Sequence, residues 1–81
     1  MSVQYINWAT ARELVLSRLR QWVEQMPVYE RGLKILWGQR LLSPLDMLRE
    51  VELLSDLGRE IISAELRKIA ETTGIEYIIT S

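Results

Sequence analysis

The stretch Ser43 to Gly74, SPLDMLREVELLSDLGREIISAELRKIAETTG, decides the fold, because it contains two helices whose starts and stops can be read directly. Ser43 offers a side-chain acceptor at a helix cap, Pro44 suits the first helical position, and Asp46 places a carboxylate at the positive end of the helix dipole. These signals predict a helix over 44–55. Its stripe is Met47, Leu48, Val51 and Leu54, with Leu45, Leu53 and Leu57 on other sides, so the helix is expected to be buried on more than one side. Ser55, Asp56 and Gly58 mark a corner, and a second helix follows over 59–73, closed by Gly74. Ile62, Leu66, Ile69 and Ala70 form its inner stripe. Ile61 falls on the far side with Glu65 and Lys68, where it would meet solvent or an external partner.

Upstream, Asn7 could cap a helix beginning at Trp8, and Thr10 with Glu13 gives a second candidate start with capping-box spacing. The helix is expected over 8–26, since Pro27 disfavours helical backbone in the residue before it. Trp8, Ala11, Val15, Leu19, Trp22 and Met26 recur at spacings of three and four, widened by Leu16 and Val23. Residues 1–7 read as an extended arm or strand, with Val3 and Tyr5 alternating against Gln4. The segment 29–38 reads as a short helix or a strand; the helix is favoured, against the cost of about 1 kcal/mol that each of Gly32 and Gly38 imposes on it. The tail 75–80 is β-branched and aromatic in alternation and reads as a strand. Its partner could be the N-terminal arm, a strand around Leu33 to Trp37, or a second chain.

The expected architecture is therefore mainly α: one domain over 1–81, with three or four helices and one or two short strands. A chain of 81 residues buries only about 60% of the surface its unfolded form exposes, so covering more apolar surface would help it. Composition is that of an ordinary globular protein, 48% hydrophobic and 26% charged. Net charge is −1, and it partitions as +1 over 1–26, +2 over 27–40, −3 over 41–57 and −1 over 58–81. Basic charge precedes the helix pair and acidic charge lies within it.

There is no cysteine and no histidine. This rules out disulfides, thiolate chemistry and zinc-thiolate sites, and it removes the commonest general base. Asp46 and Glu50 stand one helical turn apart, an arrangement ordinarily found on solvated helix faces, and no catalytic set can be named. No cofactor or metal site is expected. The N-terminal MSVQYINW lacks the pattern of a signal peptide, and no apolar run approaches the roughly 20 residues of a membrane span, so a cytoplasmic location without membrane contact is expected.

The run GREIISAELRKIAETTGIEYI resembles the recognition helix and following strand of winged-helix transcription regulators, which share the form RExxS..LRKL ending at a glycine. SPLDMLREVELL is then similar to their second helix and YERGLKILWGQR to their first. The resemblance is loose over 29–79 and closer over 58–75. It implies a winged-helix-like arrangement with DNA contacts at Arg59, Ser63, Arg67 and Lys68. No second wing strand with a basic tip follows in the sequence, and Glu60, Glu65 and Glu71 dilute the positive charge that phosphate binding draws on.

The leading expectation is a non-catalytic protein interaction or assembly module, a regulatory or adaptor homodimer. Its interface candidates are Trp8, Val15, Leu19, Trp22, Leu53, Leu57 and Ile61. The alternative is a wingless helix-turn-helix DNA binder, which the charge disfavours.

Overall fold

A computed structural model describes residues 2–80. The order is β1 (Ser2–Ile6), α1 (Trp8–Glu24), a 3-10 turn (Val28–Glu30), β2 (Ile35–Trp37), β3 (Arg40–Leu42), α2 (Pro44–Leu53), α3 (Asp56–Thr73) and β4 (Ile75–Ile79). The fold is mainly α, with three helices and two short strand pairs.

Each helix starts on a side-chain cap. The Asn7 side chain accepts from the Thr10 N–H at 2.8 Å, so Asn7 rather than Thr10 is the start of α1. Ser43 and Asp46 form a reciprocal capping box: the Ser43 hydroxyl oxygen accepts from the Asp46 N–H, and Asp46 Oδ2 accepts from the Ser43 N–H, both at 3.0 Å. Ser55 caps α3 by accepting from the Gly58 N–H at 2.9 Å. The last helix therefore begins three residues before the expected Arg59, and Gly58 belongs to its first turn rather than to the corner. The corner itself is Leu54, in left-handed backbone with φ 51°.

At Gly58 the two helices meet backbone to backbone. A Cβ there would overlap the Glu50 carbonyl group and lie 3.0 Å from the Val51 nitrogen. Only glycine permits this approach.

The expected helix over 29–38 is not formed. A single 3-10 turn at Val28–Glu30 is followed by a hairpin in which Ile35, Leu36 and Trp37 pair with Leu42, Leu41 and Arg40. Gly38, with φ +62°, supplies the first position of a two-residue turn of the kind that joins short antiparallel strands. The glycine that weakens a helix here specifies a hairpin.

The terminal strands run parallel, with Ser2 opposite Ile75 and Ile6 opposite Ile79. Of the three partners open to the C-terminal strand, the N-terminal arm is the one used. The strand after the last helix, which the resemblance implied, is β4, and the antiparallel hairpin precedes α2.

The core joins Ala11, Val15, Leu16 and Leu19 of α1, Met47 and Val51 of α2, and Ile61, Ile62, Leu66 and Ile69 of α3. Helix α3 is central, touching α1, α2 and β4. That position explains Ile61, which is fully buried although its place on the helix suggested an outward face. Ile61 belongs to the same buried cluster as Val15 of α1 and Val51 of α2. Val15 and Leu19 are likewise core residues; Val15 and Ile61 are fully enclosed, and Leu19 keeps 4% exposure.

Candidate interaction surfaces

The basic segments and the acidic helix pair face one another within the chain. Arg18 approaches Glu65 at 3.8 Å, Arg20 approaches Glu52 at 3.9 Å, and Lys34 bonds Asp46 at 2.7 Å. The charge asymmetry of the sequence is thus absorbed by the fold. Glu65 is the buried member, only 9% exposed, held between Arg18 and the Lys68 ammonium 3.1 Å away. The Lys34 ammonium and the Ser43 backbone and hydroxyl groups lower the Asp46 carboxyl from 3.8 to about 2. Glu50 accepts from the Ser55 hydroxyl at 2.9 Å. Both members of the Asp46 and Glu50 pair are therefore engaged in helix termini. Among the described residues no group of three or more acidic side chains is arranged to hold a metal ion.

The four positions at which the resemblance implies DNA contacts are divided. Arg59, Ser63 and Arg67 follow one another at four-residue spacing along α3 and line the same shallow surface as Trp8, whose ring centroid lies 5.2 Å from the Arg59 guanidinium. Lys68 lies elsewhere, with Glu65, in the groove between α1, the hairpin and α3. Asp56, Glu60, Glu71 and Glu76 also border the arginine surface and its continuation toward β4. Acidic groups outnumber the two arginines there.

Of the apolar candidates, Trp8 is half-buried and Leu57 packs against the core, while Leu53 is exposed. Trp22 stands at the margin of a groove of about 530 Å³ that it shares with Leu19, Ile35, Trp37 and Met47, with Arg18, Glu65 and Lys68 on its polar side.

Two further apolar surfaces are created by strand pairing that spacing alone does not reveal. The hairpin exposes Leu36 and Leu41 as a directly opposed pair, 71% and 64% exposed, with Leu33 nearby in sequence and also exposed. At the terminal sheet, the register places Val3, Tyr5 and Ile78 on one face, all exposed, while Ile6, Tyr77 and Ile79 on the other face pack toward the core. Alternation in the arm is legible in its sequence. What was hidden was that a parallel partner would cover only one edge of it.

Comparison with known proteins adds no assignment: no family model, curated protein or solved structure matches the chain. Among the described residues no helix is long and apolar enough to cross a membrane.

Proposed function

We propose that this protein is a non-catalytic assembly module of the cytoplasm that acts as a homodimer in a regulatory or adaptor role. One observation carries the reading. Twelve large apolar side chains are exposed among the described residues, against eleven hydrophobic residues in the core. Scattered singly, such residues need no partner. Here several are opposed in pairs on sheet surfaces, as Leu36 and Leu41 are, and continuous apolar patches mark contact sites. A domain of this size gains most from covering them.

The non-catalytic part of the proposal is supported by the use of Asp46, Glu50 and Glu65 in caps and ion pairs. The DNA-binding alternative draws less support, because the Arg59, Ser63 and Arg67 face is bordered by more acidic than basic groups.

Sedimentation equilibrium from low to high micromolar concentration tests the reading. The expected mass rises toward twice the 9.5 kDa of the chain. The chain mass at every concentration would overturn it.

A further inference from the structure

The parallel pairing of β1 and β4 leaves one edge of β1 open. Ser2 donates its N–H to the Gly74 carbonyl, and the Ile6 carbonyl accepts from the Thr80 N–H. By alternation along the ladder, Ser2, Gln4 and Ile6 direct their backbone groups at β4, and Val3 and Tyr5 direct theirs away from it. Strand β1 packs extensively on β4 alone, and its first four residues are exposed.

Natural sheet edges are usually protected by charge, proline or a bulge. Ser2–Ile6, SVQYI, has no charged residue and no proline. The other strand of the sheet, Ile75–Ile79, carries one charge, Glu76, at its second position. The unprotected edge is therefore that of β1.

We infer that this edge pairs with the β1 edge of a second copy, antiparallel and two-fold symmetric about Gln4. This rests on the homodimer reading and specifies its contact. The register follows from the sequence. Val3 opposes the second copy's Tyr5, Tyr5 opposes its Val3, and the two glutamines face each other at the axis. Val3 and Tyr5 carry the outward backbone groups, so each opposed pair exchanges both of its hydrogen bonds, four bonds across the axis. The same register sets β-branched against aromatic side chains on the exposed face, a favourable cross-strand pairing. Glutamine has both donor and acceptor amide groups, so it can satisfy its own copy.

The helices leave room for this. In a four-stranded sheet ordered β4, β1, β1, β4, the two β4 strands lie about 14 Å apart, more than the roughly 10 Å of a helix diameter. Ser2 and Gln4 are exposed on the helix side of β1, so no helix of the same chain lies across it.

Area sets the strength. A five-residue strand is about 17 Å long, so the strip it buries falls short of the roughly 800 Å² per partner of a standard stable interface. The outer Val3 and Tyr5 side chains add to it, and the dimer forms in the micromolar range rather than below it. A second copy is the occupant that this edge fits, because every position along it is matched by its own symmetry mate and none carries a charge that would select another chain.

Gln4→Glu and Gln4→Lys test the pairing, because at the axis each sets like charges against each other. Each variant alone should weaken the dimer by roughly ten-fold or more, with an unchanged circular dichroism spectrum, and an equal mixture of the two should recover the wild-type mass as a mixed dimer. Dimers of either variant as strong as wild type, or failure of the mixture to recover, would overturn this contact while leaving the homodimer reading intact. A wild-type chain that is monomeric throughout would remove both, and polymers in place of dimers would overturn the two-fold symmetry.

Discussion

Gly58 sits against the Glu50 carbonyl so closely that no side-chain carbon fits between α3 and α2. This contact sets how near the two helices come and hence how deeply Val51 and Ile62, both fully buried, engage the core. Gly58→Ala is expected to lower stability by about 1–3 kcal/mol, the usual cost of overpacking. Gly32→Ala is the control, since nothing lies within 4 Å of an added Cβ there. Urea unfolding of the two variants checks the difference.

Ile61 was expected to face outward and is fully buried, whereas Leu53 is 69% exposed. Ile61→Ala should cost about 2–5 kcal/mol. Leu53→Ala should stay within about 0.5 kcal/mol of wild type. Thermal unfolding at low micromolar concentration, where association contributes least, separates the two.

The Asp46 carboxyl is lowered from 3.8 to about 2 by Lys34 and Ser43. A depressed carboxyl favours the folded state above its unfolded pKa, and that contribution is lost as pH falls through the folded value. Stability should therefore decline between about pH 4 and pH 2, in part through this group. Carbon NMR of the Asp46 carboxyl should give a midpoint near 2 in wild type, and Lys34→Ala should move it upward. Asp46→Asn should flatten the acid limb of the stability curve.

Ser43 is buried, and its hydroxyl oxygen accepts from the Asp46 N–H. Ser43→Ala should cost about 1 kcal/mol, the usual loss of a helix cap. Lys68→Ala removes only an exposed partner of Glu65 and should cost no more than about 1 kcal/mol. Chemical denaturation of both variants orders these effects.

What the sequence made legible was local. Ser43, Pro44 and Asp46 announce a helix start with one residue's chemistry each, and the structure forms the capping box they predict. Gly74 ends α3 in left-handed backbone, as its position suggested. Reading failed where a tertiary partner decides. Gly38 weakens a helix, yet nothing local says that Arg40 to Leu42 will return as a strand. Periodicity places Ile61 on the far side of α3, because it ranks the faces of a helix without revealing that α1, α2 and β4 all pack against this one. Val15 and Leu19 lie on a stripe that in sequence suits either a core or a partner seam, and packing assigns them to the core. The parallel pairing of β1 with β4, joining residues more than seventy positions apart, leaves no trace in spacing.

The most direct measurement of the account is amide hydrogen exchange along β1 at low and high protein concentration. Gln4 faces β4 and should be protected at both. Val3 and Tyr5 face the free edge and should exchange freely when dilute and become protected when concentrated. Free exchange of Val3 and Tyr5 at the highest concentration, in a sample whose mass is that of a dimer, would contradict the account.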